Sequence, residues 1–270
     1  MLLKQLLKNL DYTLVQGCLN TEVTDIYYDS RKVTPGGLFV CIVGTQRDSH
    51  DYAADVAAKG AAVLAIQHDL PAEVLAALPD VTVVKFESTR YAMALLSTAY
   101  FGRPALEMTM VGVTGTKGKT TTSYLLKSIC ETAGHTCGLI GTTGNMIGDR
   151  RLKSELTTPD PIELQKTFRM MVDEGVEIVS MEVSAHAIDM LRLDGVSFEV
   201  GCYTNLSQDH LDYFHTMENY FETKRKLFHS GMVRNATFNA DEETTARMLE
   251  GLEIPAMTYG ICANADLYAR

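Results

Sequence analysis

The sequence predicts an α/β protein in two domains: a small N-terminal α/β domain over residues 1–105, then a doubly wound, mostly parallel sheet over residues 106–270. Three observations predict it. Short runs of apolar and β-branched residues, too apolar to face water on either side, alternate with helical segments, as in strands buried beneath helices. Gly102-Arg103-Pro104 breaks the chain between two such series. The stretch VGVTGTKGKTTT, Val111 to Thr122, passes from a strand through a Gly/Thr/Lys loop into a helix.

In chain order, Leu2, Leu3, Leu6, Leu7 and Leu10 repeat at helical spacing and predict an amphipathic first helix. Lys4 and Lys8 interrupt the run, so it is not the apolar core of a signal peptide. LFVCIVG (38–44), launched by Pro35-Gly36-Gly37, is a strand, and HDYAADVAAKG (50–60) is a helix that Gly60 can close. AAVLAIQ and VTVVKF (81–86) are further strands, and STRYAMALLSTAYFG is a helix. Beyond the break, residues 108–111 form a strand, SYLLKSICETAG a helix and TCGLIGTTG (136–144) a strand with its turn. PIELQKTFRMMVDEG (161–175) is helical, VEIVSMEVS (176–184) and FEVGCYTNL (198–206) are buried strands, and MENYFETKRKLFHSG (217–231) is a helix. In such sheets ligands bind beyond the carboxyl ends of the strands, so the polar residues found there are the ones to read for chemistry.

The chain has 270 residues, a hydrophobic content of 46% and a net charge of −10, ordinary for a globular protein and wrong for a nucleic-acid backbone binder. No apolar run approaches the ~18 residues of a membrane span, which predicts a cytoplasmic protein with no membrane insertion. Cys18, Cys41, Cys130, Cys137, Cys202 and Cys262 form no C-x-x-C pair and are expected to be small buried thiols in a reducing compartment.

Gly115, Thr116, Lys117, Gly118, Lys119, Thr120 and Thr121 supply what a phosphate cradle needs. Glycines let backbone N–H groups curl around an anion, a helix N-terminus adds positive charge, Lys119 reaches outer phosphates and the Thr120 hydroxyl ligates Mg²⁺. The match to G-x-x-x-x-G-K-[ST] is imperfect, because the first glycine falls at Gly112 and Val113 stands in its place. Glu182 ends an apolar strand, where a carboxylate needs a cationic partner. Asn205, Asp209, His210, Asp212 and His215 follow the next strand, and Mg²⁺ with one histidine suits them better than zinc, since no cysteine ligands accompany them. His215 and His229 are expected to face solvent. Lys224 shares the helix face of Met217, Tyr220, Phe221, Leu227 and Phe228. An inward lysine either snorkels along the core edge or acts in the site, where a desolvated neutral amine can add CO₂ and become a metal-binding carbamate.

Together TGTKGKTTT, LTTPDP (156–161), MEVSAHAIDMLRL (181–193), TNLSQDHLDYF, YFETKRKLF and, in the first domain, DSRKVTPGGLFVCIVG (29–44) with QRDSHDY (46–52) resemble the Mur ligase family along the whole chain, and within it the MurE branch. The resemblance implies a UDP-binding first domain and a P-loop central domain that is incomplete here. It implies an ATP-dependent amide ligase of peptidoglycan synthesis, joining a diamino acid (meso-diaminopimelate or L-lysine) to UDP-N-acetylmuramoyl-L-alanyl-D-glutamate through an acyl phosphate. It implies ATP and Mg²⁺ as cofactors and a monomer. By residue, it implies catalytic roles for Lys119, Lys224 and His210, nucleotide contacts at residues 115–121 and Asn205, and magnesium positions at Thr120, Glu182, His210 and carbamylated Lys224. Thr157, Thr158, Ser184 and Arg192 match positions that grip the muramoyl-dipeptide, and Ser30 matches a uridine contact.

Three departures stand out. Ala185 replaces a serine that the family usually has. Ser49 replaces a glycine, which weakens Asp48 and His50 as contacts. Family members continue past the position of Arg270 into a third domain that closes over ATP and carries the motif selecting the amino acid. Two other functions remain open on the residues: a non-catalytic UDP-sugar and nucleotide-binding protein, and a P-loop kinase making a stable phosphate ester.

Overall fold

The computed structural model describes residues 1–44, 47–154, 156–261 and 264–268. The chain divides into two compact units, Met1–Arg103 and Pro104–Arg270, at the Gly102-Arg103-Pro104 break.

The first unit runs through α1 (Leu3–Leu6), β1 (Thr13–Gln16), β2 (Ile26–Tyr27), β3 (Leu38–Val40), α2 (Ala53–Ala58), β4 (Val63–Ile66), α3 (Ala72–Ala76), β5 (Thr82–Lys85) and α4 (Thr89–Tyr100). Its described strands lie in the order β1-β5-β4-β3-β2, all parallel except β1. Strand alternation puts Phe39, Leu64, Ile66 and Val83 on one face, packed with Val56 and Ala61. The first helix is shorter than its leucine spacing predicts. Leu3 and Lys4 donate backbone N–H groups to Thr21 and Leu19, and Asn9 turns the chain with a positive φ, so Leu7 and Leu10 are buried through a turn. The predicted helix at 50–60 opens with a 3-10 turn, Ser49–Tyr52, and Gly60 closes it at φ +94°.

The second unit contains β6 (Thr109–Thr114), α5 (Lys119–Thr132), β7 (Cys137–Ile140), β8 (Asn145–Ile147), β9 (Arg150–Leu152), α6 (Pro161–Asp173), β10 (Ile178–Glu182), α7 (Ala185–Asp189), β11 (Phe198–Tyr203), α8 (Leu211–Phe214), α9 (Met217–His229), β12 (Val233–Asn239), α10 (Thr245–Leu249), β13 (Ala256–Gly260) and β14 (Leu267–Tyr268). Among the described residues one sheet has the order β14-β13-β12-β11-β6-β10-β7-β8-β9, parallel from β14 to β7 and closed at its edge by the antiparallel β8–β9 hairpin. Gly112, the early glycine of the imperfect motif, lies inside β6, where a Cβ would come within 2.9 Å of Phe198. It serves strand packing and not the phosphate loop. Of the cysteines, Cys41, Cys137 and Cys202 are buried as expected, but Cys18 is exposed, and Cys262 lies outside the described residues. No described helix is long and apolar enough to cross a membrane.

Candidate functional site

Parallel register brings the carboxyl ends of β6, β10 and β11 together: Glu182 pairs beside Val113, and Tyr203 beside Thr114. The loops leaving these strands therefore share one edge. Gly115 sits at φ +146°, and a Cβ there would fall 2.0 Å from Thr204 Oγ1, so only glycine lets the two loops touch. Gly118, at φ +85°, forms the N-cap of α5. Asn205 ties the loop down. Its Oδ1 accepts from Lys117 N (2.9 Å), its Nδ2 donates to Lys117 O (3.0 Å) and its carbonyl accepts from Thr116 N (2.9 Å). Both polar atoms of the Asn205 side chain are thus committed to the loop.

Two lysines converge on one carbonyl. Lys119 Nζ donates to Gly115 O (2.9 Å) and Thr116 O (3.0 Å), and Lys224 Nζ donates to the same Gly115 O at 2.9 Å. Lys224 is 1% exposed and lies 4.4 Å from the centroid of the Tyr220 ring. Its apolar helix face turns it fully inward. Burial first, and the charge of Lys119 second, bring its amine down to about 7 against the pull of Asp209. Burial also lowers Lys119, with Glu182 and Asp209 opposing. An unfolded chain keeps the Lys224 proton up to the ordinary 10.5. Between these pH values the unfolded state holds a proton that the folded state lacks, so stability is expected to rise with pH across the window and not below it. Urea unfolding in CO₂-depleted buffer at pH 7 and near pH 9 should show Lys224→Met without about 2–3 kcal/mol of that rise. A variant with the wild-type slope would show that the amine is not desolvated.

Glu182 is 1% exposed, at the end of β10. Three donors hold its carboxylate: Thr120 Oγ1 to Oε2 (3.0 Å), Thr142 N to Oε1 (3.0 Å) and Thr142 Oγ1 to Oε2 (3.1 Å). A Cβ at Gly141 would meet Oε1 at 2.2 Å. His210, at φ 54°, is half-exposed, with its ring edge-on to His186 at 4.8 Å between centroids. Burial and then the His210 charge push His186 down. Asp209 accepts from His210 N (3.0 Å) and lies 3.8 Å from Lys117 Nζ. Thr121 is exposed on α5, and His215 and His229 are exposed as expected.

Thr157, Thr158, Ser184 and Arg192 gather beside Glu182. The Thr157 hydroxyl lies 3.1 Å from that of Thr142. The Thr158 side chain is turned inward. It is 1% exposed, donates to Glu182 O (2.9 Å) and accepts from Ser184 N (3.1 Å). Ser184 N-caps α7 by accepting from Ala187 N (3.2 Å), which leaves its own proton to give. Arg192 donates to Thr158 O (2.9 Å). Sequence reasoning missed Thr142, Tyr220 and His186 as members of the site. For Thr142 the usable signal was its place in the polar turn just after a buried strand.

In the first unit, Ser30 lines a cavity of ≈560 Å³ with Tyr28, Arg31, Arg47 and Tyr52. Asp48, His50 and His68 bring their polar atoms within 4.8 Å of one another. His50 accepts from Gln67 N at Nε2 (2.9 Å) and donates from Nδ1 to Asp48, while His68 Nε2 lies 2.7 Å from the other Asp48 oxygen. Burial would raise the Asp48 carboxyl, but its hydrogen bonds to His50 and His68 hold it down at about 2. A metal ligated through His50 Nδ1 would have to displace the proton that this pattern requires, so the cluster is a hydrogen-bonded brace. Ser49 does not prevent the turn, and Asp48 and His50 are internal contacts.

Comparison with known proteins matches residues 113–270 to a family model described as the Mur ligase middle domain, and residues 22–101 to one described as the Mur ligase family, catalytic domain. The UDP-N-acetylmuramoyl-L-alanyl-D-glutamate–2,6-diaminopimelate ligase of Clostridium perfringens (strain 13 / Type A) is 42% identical over 274 aligned residues, covering 100% of this chain and 55% of the relative. The ligase of the same name from Bacillus licheniformis is 42% identical over 255 residues, covering 92% and 51%. The chain thus spans about half the length of the curated relatives it matches. Among solved structures, a ligase of the same name superposes with a TM-score of 0.82 at 24% identity, covering 99% of this chain and 54% of the other. MurF from Thermotoga maritima in complex with ADP gives 0.58 at 20%, covering 91% and 52%. At these identities the structures show the shared fold.

Proposed function

This chain belongs to the Mur ligase family, and from that premise we propose that it carries the UDP-substrate and nucleotide sites of an ATP-dependent ligase joining meso-diaminopimelate to UDP-N-acetylmuramoyl-L-alanyl-D-glutamate. What carries the reading is that the whole chain aligns at 42% identity with a protein named for that activity. The site supports it. The N–H groups at the start of α5, with those of the loop that Asn205 does not hold, receive the ATP phosphates, and Lys119 swings from Gly115 O to the outer phosphate. Ser184, Arg192 and Thr157 face the muramoyl-dipeptide, and Ser30 with its cavity takes the uridine end.

The residues present fit magnesium, because the buried Glu182 carboxylate, the Thr120 hydroxyl and His210 offer hard oxygen and imidazole donors beside the phosphate loop. Bound there, it would neutralise charge on the phosphate oxygens. Lys224 contributes a neutral amine, which by adding CO₂ and releasing a proton would give an anionic carbamate able to help hold that metal. The glutamyl carboxylate of the acceptor attacks the γ-phosphorus and ADP leaves. The incoming amine then attacks the acyl carbon, loses a proton and displaces phosphate. Arg192 is suited to orient an anionic part of the acceptor. With this reading go a monomer and a cytoplasmic location, and no described helix is long and apolar enough to cross a membrane.

The test measures products as well as binding. Calorimetry should show the chain binding both Mg·ATP and the UDP-muramoyl-dipeptide, and any phosphate release should require the dipeptide and the diamino acid together. Stoichiometric ADP with a stable phosphorylated product and no amine requirement would favour a kinase. Absence of both binding events would reject the reading.

A further inference from the structure

We propose that Thr142 is a positioning residue that couples Glu182 to Thr157, and that it leaves Thr157 able only to accept a hydrogen bond from a ligand. The proposal deepens the ligase reading and rests on it for the identity of the ligand.

Counting protons carries the argument. Glu182 is surrounded by three donors, so its carboxylate accepts at both oxygens. Thr142 has one hydroxyl proton and two oxygen neighbours at 3.1 Å, Glu182 Oε2 and Thr157 Oγ1. The carboxylate has no proton to give and is the stronger acceptor, so the Thr142 proton goes to Glu182. The contact between the two threonines then needs the proton of Thr157. That proton is its only one, and the half-buried Thr157 meets the site with a lone pair. The group opposite it on the acceptor substrate is therefore an N–H or O–H, and not a carboxylate.

The same geometry makes Thr142 a link between two sites. Its backbone N–H and its hydroxyl fix both oxygens of Glu182, while the hydroxyl orients Thr157. Gly141 makes the room in which the carboxylate sits, since a Cβ there would fall 2.2 Å from Oε1. A shift of Glu182 towards a metal is thus felt at Thr157 through one side chain.

The experiment uses Thr142→Val, which keeps the branched shape, and Thr142→Ser, which keeps the hydroxyl. Mn²⁺ binding in the presence of ADP, followed by electron paramagnetic resonance, is expected to weaken about 10-fold in the valine variant and return to wild type in the serine variant, as for other groups that orient metal ligands. Affinity for UDP-N-acetylmuramoyl-L-alanyl-D-glutamate, measured by calorimetry, should follow the same order. A folded Thr142→Val protein that holds Mn²⁺ as tightly as wild type overturns the coupling, and Thr142→Ala serves if valine does not fold. For the hydrogen-bond polarity, Thr157→Val should lose the same affinity whether the glutamyl carboxylates of the ligand are free or amidated. A loss confined to the free carboxylates would make Thr157 a donor and overturn that half. If the wild type binds Mn²⁺ with ADP but not the UDP-dipeptide, the ligase reading fails while the metal measurement still decides the role of Thr142.

Discussion

Lys119→Ala is expected to lower ATP affinity by one to two decades while the fold survives. Lys119 makes no contact that its unit needs for stability, since both of its bonds go to carbonyls of its own loop. The Gly115 carbonyl still accepts from Lys224, and the loop is held independently by Thr204 and Asn205 through the Lys117 carbonyl. Against a phosphate the ammonium makes charge-assisted bonds worth roughly 1.5–3 kcal/mol, which is the origin of the expected factor. Calorimetric titration with ATP and circular dichroism on the same sample test it, and unchanged affinity would remove the loop from the nucleotide site. A second readout follows from the shared carbonyl. With Lys119 gone, the repulsion that helps to keep Lys224 near 7 is gone too, so the Lys224 amine should become more basic.

Changes at Lys224 should be at least as severe. On the proposed ligase reading, and measured in a ligase of full family length that carries this sequence, Lys224→Ala is expected to cost one to two decades of turnover if the residue acts as other groups beside a metal do, whose loss costs ~10–100-fold. Lys224→Glu should recover part of that loss, because a carboxylate approximates the charge of a carbamate. Lys224→Arg should recover none, since arginine stays cationic and cannot add CO₂. Lowering CO₂ in the buffer should slow wild type and leave Lys224→Glu unaffected. Full activity in the arginine variant would reduce Lys224 to a buried cation that merely steadies the Gly115 carbonyl.

That Lys224 turns inward was legible because helices repeat every 3.6 residues, and Phe221 and Phe228 bracket it at spacings of three and four. The strand-to-helix corner at Gly115 and Gly118 was legible because glycine there is a backbone requirement written in residue type. Hydrogen-bond direction carries no such mark. Thr158 looks identical to Thr157 in the sequence, yet one hydroxyl is spent on Glu182 O and the other pairs with the Thr142 hydroxyl. Nor did the residues show that Asn205 would hold the loop with both ends of its amide. The strands that escaped sequence reading were edge or mixed ones. Thr13–Gln16 is half-exposed and antiparallel, and Val233–Asn239 interleaves apolar residues with Arg234, Asn235 and Thr237, so neither forms the apolar run that marks a central strand.

The Asn205 amide, bonded to both the N–H and the carbonyl of Lys117, imitates one more rung of the β6–β11 ladder beyond the point where the strands part. The loop between Gly115 and Gly118 is consequently ordered when the sheet folds and not when a ligand arrives. The Thr116 and Lys117 amide hydrogens, both bonded to Asn205, should exchange with solvent at rates set by opening of the sheet, far slower than those of an ordinary surface loop. On the proposed reading, an incoming nucleotide meets a rigid surface, costs little chain entropy on binding it, and associates at a rate governed by encounter instead of by loop rearrangement.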